Sequence, residues 1–142
     1  MRFMVIVKSN EQVEAGGTPS EAQIAAMSAF NEELVKAGVL LVAEGLHPSA
    51  KGARLRYDDE GGTSVTDGPF TEAKELVGGF WILQVSSRAE ALEWMRKAPF
   101  RGEEVEVRQV FETSDFGNAI TPELAAAEDR MREMVAQQQR GS

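Results

Sequence analysis

The chain has 142 residues, enough for one domain with a sizeable core. Apolar content of 42% and charged content of 27% are those of an ordinary soluble globular protein, and the net charge of −8 opposes a nucleic-acid backbone. No cysteine is present, which excludes disulfides, thiolate catalysis, thiolate zinc sites and iron–sulfur clusters. The basic residues are dispersed (Arg54, Arg56, Lys74, Arg88, Arg96, Lys97), so direct nucleic-acid binding is not expected. The apolar run at residues 2–8 is too short for a signal-peptide core, and no segment reaches bilayer-spanning length. A cytoplasmic protein without membrane partner is the default expectation.

In chain order, residues 2–8 read as a first strand, followed by a polar loop from Ser9 to Thr18. Ser20-Glu21-Ala22-Gln23 is a capping box, opening a helix to about Ala37 with Met27, Phe30 and Leu34 on one face and Gly38 as its stop. Val39 to Glu44 is the second strand, ending in Gly45-Leu46-His47-Pro48. A hairpin follows: Ala53, Leu55 and Tyr57 alternate with Arg54 and Arg56, residues 58–62 turn, and Thr63 to Thr66 return. Phe80 to Val85 is a strand apolar on both faces. Ser87-Arg88-Ala89-Glu90 is a second capping box, before a helix with Leu92 and Met95 inward that Pro99 ends. Val105 to Phe111 is the last strand. Thr121-Pro122-Glu123 caps a terminal helix with a stripe of Leu124, Ala127, Met131 and Met134, and residues 137–142 are expected to fray.

This order predicts an α+β fold, a ferredoxin-like split βαβ sheet with an inserted hairpin and an extra C-terminal helix. Residues 1–113 would form the α/β domain and residues 114–142 the C-terminal helix and frayed tail. Strands 2–8 and 80–85 would lie centrally, with helices on one face only. The other face would need a cover, and a second copy packing sheet to sheet predicts a homodimer. The third helix and the hairpin are the alternative cover.

The densest cluster of chemistry is Val65-Thr66-Asp67-Gly68-Pro69-Phe70-Thr71-Glu72-Ala73-Lys74-Glu75. Proline restricts the residue before it, so Asp67 and Phe70 leave the turn in fixed directions. Together with Ala43-Glu44-Gly45-Leu46-His47-Pro48, Gly78-Gly79-Phe80 and Glu104-Val105-Glu106-Val107-Arg108, this segment resembles the DGPF proteins, a branch of the YCII-related family. The likeness runs from the first strand to about Phe111. It implies a dimeric α/β barrel of ferredoxin-like fold, most of whose members have no assigned activity. Relatives in the broader family carry a presumed catalytic pair, a histidine on the first helix and an aspartate before a Pro-aromatic pair. Here the first helix has no histidine, and the matching segment is Ala98-Pro99-Phe100, so neither residue carries over.

His47 is the single histidine and a candidate acid or base at a strand end; the alternative is a partly solvated loop histidine. Asp67 is the second candidate catalytic residue, against the plainer reading of a turn aspartate bonding nearby N–H groups. Glu44, Phe70, Glu72 and Lys74 are candidate substrate-binding residues. Lys74 would favour an anionic ligand, unless the Glu72/Lys74/Glu75 cluster is only a solvated turn capped by Thr71. Glu44, on the Leu40/Val42 face, would need a partner such as Arg54, Arg56 or Lys74. Glu44, His47 and Asp67 could hold a hard cation, but without ligand spacing along one element no metal site is expected, nor any cofactor. The paired glycines do not follow the dinucleotide pattern and read as turns. The expected function is therefore binding of a small organic molecule, an anion among the candidates, in a cavity between helices and sheet bordered by Glu44, His47, Asp67 and Lys74, with proton transfer as the candidate chemistry and enzyme status left open. The alternative is an accessory module contacting a sigma-factor system of the extracytoplasmic-function type, as the resemblance implies.

Overall fold

The computed structural model describes residues 1–141 and divides them into two compact units, the first Met1–Gln109 and the second beginning at Val110. The first is an α+β unit built on four antiparallel strands: β1 (Arg2–Lys8), β2 (Leu40–Gly45), β5 (Val77–Gln84) and β6 (Val105–Gln109). Their order across the sheet is β2-β5-β1-β6, the split βαβ arrangement in which the two most apolar strands are central. Strand β5 begins three residues before the expected Phe80, because Val77 and Gly79 still pair with Lys8 and Val7. Strand β6 stops at Gln109 and not at Phe111.

Register explains which side chains are buried. Phe3 and Val5 face the same side as Leu83 and Trp81, their β5 partners, and all four are buried. Each such side chain contributes about 1.5–3 kcal/mol on leaving water. On the opposite face Met4, Ile6, Phe80 and Ile82 are half-buried, so the central strands are apolar on both sides.

Two helices cover the first face. Helix α2 (Glu21–Lys36) starts at the expected capping box: the Ser20 hydroxyl accepts from the Gln23 N–H at 3.1 Å, and the Gln23 side chain accepts from the Ser20 N–H at 2.8 Å. It stops where Gly38 takes φ 74°, with Gly38 N–H donating to Val35 O and Val39 N–H to Leu34 O. Leu34, fully buried, and Val39 bury the apolar contact typical of this stop. Preceding it is a four-residue helix inside the expected loop, α1 (Glu11–Glu14), capped by the Asn10 side chain, which accepts from Val13 N–H at 2.8 Å.

Helix α3 (Arg88–Arg96) is capped by Ser87, whose hydroxyl accepts from Glu90 N–H at 3.1 Å, but the box is not reciprocal. The Glu90 carboxylate accepts instead from the N–H (2.7 Å) and hydroxyl (2.6 Å) of Ser86, one residue earlier. Ala91 and Met95 are the buried positions of this helix, while Leu92 is half-buried.

Strands β3 (Ala53–Tyr57) and β4 (Thr63–Asp67) form the expected hairpin as a separate two-stranded sheet. Its turn is held by Asp58, whose carboxylate accepts from the N–H groups of Glu60 and Gly62 at 2.9 and 2.8 Å. Every residue of both strands is exposed, including Leu55, Tyr57 and Val65.

In the second unit Phe111 stacks on Phe116 at 5.1 Å, and helix α4 (Pro122–Arg140) is capped by the Thr121 hydroxyl, which accepts from Leu124 N–H at 3.2 Å. The helix includes residues 137–140, which were expected to fray; Ser142 lies outside the described residues. The Leu124, Met131 and Met134 positions of its stripe are 50–58% exposed. Among the described residues no helix is long and apolar enough to cross a membrane.

Candidate functional site

A cavity of about 580 Å³ lies over the helix-covered face of the sheet, where β1 ends and β5 begins. Its apolar wall comes from Val13, Ile24, Met27, Trp81 and Phe100, and its polar residues include Asn10, Asn31 and Glu103, with Glu44 at its edge, paired with Phe80 of the opposite sheet face. This is the composition of a small-molecule site, mostly apolar with a few placed polar groups.

The wall is rigid for identifiable reasons. Trp81 stands edge-on between Phe30 (6.0 Å) and Phe100 (5.9 Å). Its indole Nε1–H donates to Asn31 Oδ1 at 2.8 Å. The indole can only donate, so the amide oxygen of Asn31 must face it and the Nδ2 group must face away. Gly78 and Gly79 form the entry of β5. A Cβ on Gly79 would stand 2.9 Å from the Glu44 carbonyl oxygen, and one on Gly78 would stand 3.3 Å from Ser9 Cα. A side chain at position 79 would therefore have to move strand backbone, whereas one at position 78 would press on Ser9 by only a few tenths of an ångström. Ser9 is 6% exposed, and its hydroxyl has no hydrogen-bond partner among the described residues. A buried hydroxyl left so costs about 1–3 kcal/mol.

Of the residues expected from sequence, only Glu44 lines this cavity; His47, Asp67, Phe70, Glu72 and Lys74 do not. Glu44 is exposed, so it needs none of the partners suggested for it. His47 is exposed in the loop after β2, and Asp67 is exposed at the end of β4, opposite Ala53. The Asp67 carboxylate takes no hydrogen bond from the N–H groups of its own turn. Phe70 is half-buried beneath the Arg54 guanidinium, which lies 3.9 Å from the ring centroid. The turn at Ala73–Glu75 is preceded not by a Thr71 cap but by Glu72 in the left-handed region (φ 62°). Among the described residues no three His, Asp or Glu side chains gather to hold a metal ion.

What organises the Asp-Gly-Pro-Phe turn is a residue passed over in sequence, Glu14 at the end of α1. Its carboxylate accepts from the Ser49 N–H (3.1 Å) and from the Ser49 hydroxyl, and that hydroxyl accepts in turn from Phe70 N–H at 2.9 Å. Gly68 N–H donates to Gly52 O at 3.0 Å, and a Cβ on Gly68 would overlap the Ser49 carbonyl oxygen. The turn is thus seated on the Ser49–Lys51 segment and tied through Ser49 to the helix beside the cavity. Three signals could have found these residues: Asn10 as a helix cap before Val13, the need of a buried tryptophan for an acceptor, and a serine closing an apolar strand.

The segment Pro99-Phe100 lines the cavity, as do Gln23, Ile24, Met27, Ser28 and Asn31 of α2. In comparisons with known proteins, a curated relative in Rhizobium meliloti (strain 1021), the uncharacterized protein R00369, is 34% identical over 98 residues, 68% of this chain and 78% of that one. A solved structure with a similar trace is 5-chloro-2-hydroxyhydroquinone dehydrochlorinase (TftG) from Burkholderia phenoliruptrix AC1100 in complex with 2,5-dihydroxybenzoquinone. It is 18% identical, covers 81% of this chain and 98% of its own, and has a TM-score of 0.41. The family model of the YCII-related domain matches residues 1–114, and the chain belongs to that family.

Proposed function

We propose that the protein binds a small organic molecule in the cavity between α2, Phe100 and the β1/β5 strand ends. The observation that carries this reading is a 580 Å³ space with a fixed aromatic wall and a glycine floor. A cavity of that size suits a drug-sized ligand. Proton transfer by Asp67 or His47 has no place in it, since neither lines it, and Glu44, at its edge, pairs with Phe80 on the sheet face away from the helices. The anionic ligand suggested by Lys74 loses its basis for the same reason.

The test is a screen of neutral organic fragments by amide and indole NMR. Binding shifts the Trp81 indole and Ala43 signals, and Ile24→Trp, at an exposed lining position, abolishes the shifts. Shifts confined to residues 47 and 67–74, or unchanged by Ile24→Trp, sink the reading.

Two observations support assembly as a homodimer. Met4, Ile6, Phe80 and Ile82 make a continuous apolar strip on the sheet face away from the helices, and the hairpin exposes Leu55, Tyr57 and Val65 on one side. An isolated two-stranded hairpin is marginal in water, and a second copy offers both surfaces a partner. Ile82→Glu lowers the particle mass from two copies to one by light scattering; a one-copy mass for the unaltered chain overturns the dimer.

A second reading, an accessory module acting by protein contact, rests on the exposed apolar positions of α4. Deleting residues 119–142 separates it from the first: lost partner capture with intact ligand binding favours the module.

A further inference from the structure

We propose that residues 10–19 form a gate on the cavity, latched by the Glu14 carboxylate on Ser49; this rests on the cavity being a ligand site. Asn10, Val13, Thr18 and Pro19 of this stretch line it. The stretch runs between two fixed points. At one end Ser9 is buried and its N–H donates to Leu76 O at 2.8 Å; at the other Ser20 caps α2. Between them Val13 and Glu14 are half-buried, and every other residue is exposed.

Little else holds the stretch down. Its helix, α1, has four residues, far below the length at which a helix persists without packing. Among the described residues, the bonds that Glu14 accepts from the Ser49 N–H (3.1 Å) and hydroxyl are its only hydrogen bonds to the rest of the fold. Gly16 at φ 87°, followed by Gly17, supplies a pivot. A segment with so few buried contacts opens locally before the fold does. The latch also has a second arm. The Ser49 hydroxyl that donates to Glu14 accepts from Phe70 N–H at 2.9 Å. Donation to a carboxylate makes that oxygen a better acceptor, so closing the gate tightens the Asp-Gly-Pro-Phe turn.

Because the chain has no cysteine, one introduced thiol reports on the gate without background. Met27→Cys places it on α2 at a half-buried lining position; Val35→Cys, exposed on the same helix, is the control. Without ligand, Glu14→Ala raises iodoacetamide labelling at position 27 about tenfold, the factor for losing one charged hydrogen bond. Glu14→Gln, which keeps a neutral acceptor, raises it less, and labelling at position 35 does not change. In every chain labelling at position 27 outpaces global unfolding, read from amide exchange at Leu83. Labelling no faster than that limit, or indifferent to Glu14, overturns the gate.

Toluene, followed by exchange at the Trp81 indole, tests the gate on a guest. Glu14→Ala raises its association and dissociation rates by the same factor and leaves Kd unchanged, because a gate alters the path and not the bound state. Unequal changes with a shifted Kd make Glu14 a shaper of the wall and overturn the gate. Glu14-dependent labelling with no toluene shift at the indole supports the latch and sinks the ligand reading alone.

Discussion

The carboxylate of Glu14 and the hydroxyl of Ser49 share a hydrogen bond across 35 residues of sequence, and through Ser49 the same chain of bonds reaches the N–H of Phe70. Because a charged acceptor strengthens its bonds, Glu14→Ala costs about 1.5–3 kcal/mol. The loss also frees the turn, so amide exchange at Gly68 and Phe70 accelerates while exchange at Val5 and Leu83 follows only the global change. Equal protection of the turn in both proteins refutes the role.

Gly68→Ala is the sharper perturbation, because the added methyl collides with the carbonyl of Ser49 and not with a movable side chain. Backbone must shift on one side, and stability falls by about 1–3 kcal/mol. Thermal unfolding of the variant checks this; an unchanged midpoint contradicts the close approach.

Glu72 presents the opposite case. Its φ of 62° sets it against the usual preference of a residue with a Cβ. Glu72→Gly removes that penalty at some cost in chain entropy, a net gain of up to about 1 kcal/mol. Such a gain raises the melting temperature by about 2–4 °C. A lower melting temperature means that the glutamate side chain contributes more than its backbone costs.

Glu90 predicts a dependence on acidity. The Ser86 hydroxyl, and then the Ser86 N–H, stabilise its ionised form and hold its pKa below the ordinary glutamate range. A group lowered on folding contributes stability above its unfolded pKa and loses it as the pH falls through the folded value. Glu90→Gln is therefore less stable than the parent near neutrality, and the gap narrows in acid below the ordinary glutamate pKa. Denaturant unfolding at several pH values reads this; a gap that widens in acid rules it out.

The sheet, both main helices and the hairpin were legible because their signals are local: alternation in Phe3–Val5, a serine cap three residues before Gln23, an Asp-to-Gly turn at 58–62. The apolar back of the central strands was legible too, from Met4, Ile6, Phe80 and Ile82. The cavity was not. Its makers are distant in sequence, with Ser9, Asn31 and Phe100 brought together only by the crossing of β1, α2 and the segment after α3. The densest chemical motif drew attention to Asp67 and Lys74, which are exposed, whereas its backbone N–H groups carry its structural connections. Spacing along a chain reveals periodicity and turns; it does not reveal which polar group is left unmatched after packing, as at Ser9.

The bare entry of β5 has an evolutionary corollary. Where Gly78 and Gly79 crowd Ser9 and Glu44, even one methyl would reshape the chamber from below. A side chain at Gly79 would have to displace strand backbone, so related chains are expected to keep this position bare and to vary the chamber through its side-chain lining instead.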